Sequence, residues 1–255
     1  MKAVAPLRHR NVLKLIQVLD SPKLDTVYVI LEYAEKGQIM EWNSKKKKYV
    51  SQVLGQSPLG GIEIRHIGEV LRGVVTGLQY MHSKLVTHGD IKPDNLLLGA
   101  DLTVKLSDFG STRSHKDANP PAADGTYPFW SPEMAGSCPE KSDAFSDDTW
   151  AMSVTLYCMA FGDPPFYELN PMELFKLITT QQIAVPAHAE KKRHTAAPVV
   201  KEIYDLITGA LALDKSKRLS LQKVAAHPFL QRAENTNAAA APENTTNGDE
   251  RKAIS

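Results

Sequence analysis

The 255-residue sequence predicts an α+β fold weighted toward helices. Three observations carry that prediction: β-rich runs near the front, a long stretch with helical apolar spacing, and a later segment apolar on nearly every face. Val12 to Leu19 and Val27 to Leu31 are rich in branched aliphatics. The turn-like Asp20-Ser21-Pro22 between them suggests a hairpin. Asn43 to Gly61, with Lys45 to Lys48, Pro58 and Gly60-Gly61, reads as a loop or insertion, its lysines solvated. Ile64, Ile67, Leu71, Val74, Val75 and Leu78 then recur three and four apart, the stripe of an amphipathic helix. Trp150 to Phe161 has no polar face and suits a buried central helix. Further helices are expected around 171–182, 198–212 and 220–230, and no internal repeat is present.

Composition narrows the class. Hydrophobic residues make up 42% and charged residues 23%, enough to build a core and to exclude a collagen-like or fully disordered chain. Lys+Arg 30 against Asp+Glu 29 gives a net charge of +1, which argues against coating nucleic acid. Cys138 and Cys158 are too few for a disulfide framework and fit a reducing compartment. No apolar run approaches the roughly 18 residues of a membrane helix, and no secretory leader is evident, so a cytoplasmic location is expected, with the nucleus as the alternative. From Ala233 to Ser255 only Ile254 is large and apolar, so 233–255 is expected to be a disordered tail.

The chemistry is concentrated in Thr87-His88-Gly89-Asp90-Ile91-Lys92-Pro93-Asp94-Asn95, followed by Ser107-Asp108-Phe109-Gly110, Gly125-Thr126 and Ser131-Pro132-Glu133. Each fragment alone is weak, and their order and spacing give them force. Phosphoryl transfer demands positioning and charge neutralisation: a carboxylate for the acceptor hydroxyl's proton, a cation for the phosphoryl oxygens, and hard oxygen ligands for Mg²⁺. Asp90, Lys92, Asn95 and Asp108 supply these groups. In an extended loop Asp90 and Lys92 fall on one side. Asn95 and Asp108 can converge from two neighbouring segments.

On these motifs the sequence resembles the eukaryotic protein kinase family, over about residues 1–232. The resemblance implies a protein-kinase-like α+β fold that uses ATP and Mg²⁺, with Asp90 as catalytic base and Lys92 as phosphate contact. It makes Asn95 and Asp108 the metal ligands. Lys92, two residues after the base, is the serine/threonine pattern. Leu31 would be the gatekeeper, Glu32 to Ala34 the hinge that bonds adenine, and Leu97 the floor beneath it. Asp148 would brace the catalytic loop, and Arg218 would pair with Glu133. Val12 to Pro22, Leu31 to Glu41 and Trp150 to Cys158 are similar to the calcium/calmodulin-dependent protein kinase kinases and their fungal relatives, so a downstream kinase is the expected protein substrate. No basic amphipathic helix follows the domain, so calmodulin is not supported as a partner, and neither nucleic acid nor membrane is expected.

Two departures from the family pattern stand out. Gly89 holds the place of an arginine that pairs with a phosphorylated loop residue, so phosphorylation at Ser111, Thr112, Ser114 or Thr126 is not expected to act through that pair. The 15 glycines contain no Gly-x-Gly, and no strand lysine precedes Leu7. The register places Met1 inside the last turns of the regulatory helix. Residues 1–34 are then a remnant of the small lobe with the hinge, and 35–232 a whole large lobe. A downstream start or a fragment is the expected explanation, and this chain is expected to be inactive without the missing parts. A catalytically dead scaffold is the alternative.

Overall fold

The computed structural model describes residues 3–20, 27–116, 125–136, 142–184 and 198–232, together with Pro186 and Ala189. The expected turn at Ser21-Pro22, Cys138 and the expected tail 233–255 lie outside these residues.

The β-rich runs form the expected hairpin. Strand β1 (Leu15–Leu19) pairs antiparallel with β2 (Tyr28–Leu31), Leu19 opposite Tyr28 and Leu15 opposite Leu31. Where the end of a helix is expected ahead of it, residues 3–6 form a turn closed by the Leu7 N–H on the Val4 carbonyl (2.9 Å). The segment after this turn is tied to the main body by Asn11. This buried amide donates to the Val104 carbonyl (2.8 Å) and accepts from the Thr76 hydroxyl (3.0 Å).

After β3 (Gly37–Gln38), the segment expected as a loop contains a second hairpin, β4 (Glu41–Asn43) with β5 (Lys48–Val50). Trp42 sits opposite Tyr49, their rings 5.2 Å apart edge to face, and that aromatic pair stabilises the strands. The lysines obscured the pattern because they occupy the turn, where their charges stay hydrated.

Helix α1 (Ile64–Ser83) buries Ile67, Leu71, Val74, Val75 and Leu78, the face that the spacing predicts. Four short strands follow: β6 (Val86–Thr87), β7 (Leu96–Leu98), β8 (Val104–Leu106) and β9 (Arg113–Ser114). They form an antiparallel sheet in the order β3-β7-β8 and a separate β6–β9 pair. The short helix α2 (Pro132–Ala135) precedes α3 (Ala144–Phe161), against which α1 and then α5 (Pro198–Ala210) pack. Every residue of α3 from Asp148 onward is buried, and its Ser153 and Thr155 hydroxyls bond back to the Thr149 and Ala151 carbonyls (2.7 and 2.9 Å). These two hydroxyls are tolerated there because each finds a partner. Helix α4 (Pro171–Thr180) and α5 match expectation within two residues at their ends. The helix expected over 220–230 is divided into α6 (Leu221–Ala225) and a helical turn at 228–232. Pro228 lacks an N–H and disfavours helical backbone at His227. Among the described residues no helix is long and apolar enough to cross a membrane.

Candidate active site

The loop between β6 and β7 is held from beneath by α3. The Asp148 carboxylate accepts from the backbone N–H of His88 (2.9 Å) and of Gly89 (2.8 Å) and from His82 Nε2 (2.9 Å). His88 is fully buried; its Nε2 donates to the Ser107 carbonyl (2.9 Å) while Nδ1 accepts from the Asp90 N–H (3.3 Å). That pattern requires the neutral Nε2–H tautomer. Burial, which pushes the His88 pKa down, favours the same state. The brace predicted for Asp148 is therefore formed, and His82 on α1 is an addition that no spacing rule signalled.

Asp90 and Lys92 meet as the alternation predicts. Lys92 Nζ lies 2.8 Å from Asp90 Oδ2 and donates to the Thr126 hydroxyl at 2.8 Å. Thr126 in turn donates to Asp90 Oδ1 through its hydroxyl (2.8 Å) and its N–H (3.0 Å). Burial opposes ionisation of Asp90, but the bonds from Lys92, Thr126 and Asn95 outweigh it and hold the carboxyl below its ordinary range. The group is thus a carboxylate at neutral pH, able to accept a proton. Thr126 was legible only as part of a Gly-Thr pair and as one of four hydroxyls open to phosphorylation. In the structure its hydroxyl is already spent between Lys92 and Asp90.

Asn95 is buried in a 3-10 turn, and its Nδ2 donates to both the Asp90 carbonyl (2.8 Å) and Oδ2 (2.9 Å). The amide oxygen is the atom left over for a cation. The Asn95 carbonyl accepts both the Ser107 N–H and hydroxyl (2.9 Å each), which stitches the strand carrying Asp108 to the catalytic loop. Asp108 is exposed, with a left-handed backbone (φ 58°), and its Oδ1 accepts from the Gly110 N–H (3.3 Å). A carboxylate and an amide oxygen on adjoining segments are hard donors of the kind Mg²⁺ takes, so the donor set fits that ion.

Of the residues expected around adenine, Leu31 ends β2, Glu32 to Ala34 run from it toward β3, and Leu97 lies on β7, the central strand of the β3-β7-β8 sheet. The Lys36 N–H bonds the Leu98 carbonyl (3.0 Å), and Gln38 pairs with Leu97, so the hinge and its floor adjoin. Neither the Glu32 carbonyl nor the Ala34 N–H bonds another described residue, which leaves both available to a purine. The Glu32 side chain turns elsewhere, to Lys105 Nζ at 2.8 Å. Leu31 on β2 is 37% exposed. On the other side of Asp90 a cavity of about 630 Å³ is lined by Asp90, Thr126, Phe129, Trp130 and Asp147, beside the carboxylate that would meet an acceptor hydroxyl.

Two packing features set the surrounding geometry. Gly89 has φ +84°, and a Cβ there would lie 2.5 Å from the Ser111 carbonyl oxygen. A side chain is excluded by sterics, so the glycine is a requirement of this backbone and the absent arginine has no room. Further along, Arg218 grips Glu133 with two 2.9 Å bonds, donates Nε to the Ala212 carbonyl (2.9 Å), and stacks its guanidinium 4.6 Å from the Trp150 ring. Burial opposes ionisation of Glu133, but the bidentate guanidinium prevails and holds its pKa low. The pairing predicted for these residues is therefore present. The Tyr49 hydroxyl, which donates to Asp94 Oδ2 (3.2 Å), had no signal because its partner is 45 residues away.

Comparison with known proteins shows the family. The protein kinase domain profile matches residues 1–230. The chain is 35% identical over 237 residues to serine/threonine-protein kinase TOS3 of Saccharomyces cerevisiae, covering 87% of this chain and 41% of that protein. It is 33% identical over 226 residues to serine/threonine-protein kinase GRIK2 of Arabidopsis thaliana, covering 88% and 50%. With SNF1-activating kinase 1 of Saccharomyces cerevisiae it shares 33% over 257 residues, covering 87% and 22%. The chain spans half or less of the length of these three relatives.

Proposed function

Since the chain belongs to the protein kinase family, among its serine/threonine members, we propose that it transfers the γ-phosphoryl group of ATP to serine or threonine hydroxyls of a protein. The observation that carries this reading is the closed network in which the Asp90 carboxyl meets Lys92, Thr126 and Asn95. Asp90 takes the proton of the acceptor hydroxyl, and Lys92 offsets charge on the transferring group. Asn95 and Asp108 would hold Mg²⁺, and the backbone of Glu32 and Ala34 would hold adenine over Leu97, with Leu31 at the end of β2. ATP and Mg²⁺ supply the phosphoryl group and its charge neutralisation.

Another kinase is the acceptor we favour. The similarity to kinase kinases supports it, as does a relative whose name says that it activates its target. The division at the hinge into 1–34 and 35–232, and a cytoplasmic or nuclear location, belong to the same reading.

The sequence contains no Gly-x-Gly loop to cover phosphates. Water reaching the site would screen Lys92 and weaken the stabilisation of the transferring group. We therefore expect residues 1–255 to transfer no more phosphate to a protein acceptor than their Asp90→Asn variant. Fusing a kinase glycine-rich strand and strand lysine ahead of residue 1 is expected to restore transfer that Asp90→Asn abolishes. Transfer by the unextended chain at the same rate overturns the need for a lid, and silence of the extended chain in the presence of folded protein overturns the kinase reading in favour of a scaffold.

A further inference from the structure

We propose that the lysine-tipped hairpin β4–β5 and the apolar shelf beside it dock an acidic segment of the protein substrate. This rests on the kinase reading and names the class of substrate it would prefer. Four consecutive lysines, Lys45 to Lys48, lie at this tip. Lys48 is half-buried on β5 and pairs with Asp163 (3.4 Å). Lys45, Lys46 and Lys47 are exposed in the turn, which is closed by the Lys46 N–H on Asn43 Oδ1 (3.0 Å). In a loose loop such charges would spread apart. A hairpin holds them close, which costs repulsion that an incoming anion relieves.

The turn is mechanically continuous with the catalytic loop. Trp42 contacts both Tyr49 (5.2 Å) and Tyr167 (5.5 Å), and Lys47 Nζ sits 5.7 Å over the Tyr167 ring. Tyr49 meets Phe129 edge-on at 6.5 Å and donates to Asp94, two residues past Lys92. A segment held at the lysines would thereby dock on a hairpin that packs against the loop carrying Asp90. Adjoining Tyr167, Leu169 is 81% exposed and Met172 74% exposed. One such side chain on a surface is ordinary. Two beside a fixed cationic turn suit a protein segment that carries both carboxylates and an apolar anchor. Acidic residues of the neighbourhood are Asp163, paired with Lys48, Asp94, bonded to Tyr49, Glu168, next to Tyr167, and Glu41 at the far end of β4; Glu173 pairs with Lys176 (3.9 Å). A nucleic acid is the poorer fit, because the chain carries a net charge of only +1 and the shelf is apolar.

The test is binding without nucleotide, so that it stands apart from transfer. A fluorescein-labelled peptide with a run of glutamates and a nearby leucine is titrated with the chain and followed by anisotropy at low and high salt. The triple variant Lys45→Glu/Lys46→Glu/Lys47→Asn is expected to weaken binding about tenfold at low salt and to flatten the salt dependence. Asparagine is used at Lys47 because φ there is 50°, a left-handed position that it tolerates. Leu169→Ser/Met172→Gln is expected to weaken binding without changing the salt slope. Lys45→Gln/Lys46→Gln is expected to give an intermediate loss and repeats the test with less perturbation, and unfolding temperature monitors the fold of all three. Equal affinity of parent and lysine variants overturns the proposal. So does equal binding of a glutamine-substituted peptide, or tighter lysine-dependent binding of single-stranded RNA or of phosphatidylserine vesicles. Acidic-peptide binding by a folded chain that stays silent even when extended with the glycine-rich strand and strand lysine would overturn the kinase reading and leave the docking surface standing.

Discussion

Helix α3 and hairpin β1–β2 are both apolar in sequence and end in opposite environments. Every residue of α3 from Asp148 to Phe161 is buried. In and beside the hairpin, Ile16, Val18, Leu19, Val27, Tyr28, Ile30 and Leu31 are each at least 37% exposed. The difference lies in the neighbours. Helix α3 is surrounded by α1, α5 and the catalytic loop, whereas the hairpin is anchored through Leu15 and the segment before it, which bonds to β8 by Leu13 N–H to Leu106 carbonyl (2.9 Å). Hydrophobicity drives burial only where other elements supply a surface to bury against. The same side chains therefore stabilise one region strongly and the other hardly at all.

Three substitutions can break or sharpen that contrast. The largest effect is expected for Arg218→Ala, which strands the Glu133 carboxylate beside α3 and should cost about 3–5 kcal/mol in denaturant unfolding. Because the folded pKa of Glu133 is depressed, its contribution is present above the unfolded glutamate value of about 4.3 and is lost as pH falls through the lower folded value. Stability of the parent should thus decline on acidification through that window, and the variant should lack that part of the decline. Next comes Leu156→Ala, a fully packed position in α3, expected to cost about 2–5 kcal/mol. A cost below 1 kcal/mol there would show a loosely packed α3. The smallest effect is expected for Ile16→Thr, which should change stability by no more than about 0.5 kcal/mol while lowering light scattering on heating. A loss comparable to that of Leu156→Ala would mean the hairpin is covered in solution.

The parts of the site that lie close in sequence were legible without coordinates. Asp90, Lys92 and Asn95 share one loop, and the spacing of side chains along an extended strand already sets Asp90 beside Lys92. Asp108 was legible because its triplet follows at a fixed distance. Helices α1 and α3 announced themselves by an apolar stripe and by its absence. The β4–β5 hairpin was hidden because it is short and its polar turn dominates the composition, while the aromatic pair that stabilises it is seven residues apart. Thr126 stood in plain view as a motif residue, but its role depends on a bond to Asp90 across 36 positions.

By itself the sequence determined the α+β class and the identity, order and spacing of the motif residues proposed to carry the chemistry. Local periodicity and spacing encode those properties, since they depend on neighbours along the chain. Tertiary structure decided the partners of Asp90, the exclusion of any side chain at Gly89, and the exposure of one apolar hairpin alongside a fully buried helix. Each of those depends on groups brought together through space, where burial and paired hydrogen bonds set the balance that no stretch of sequence carries alone.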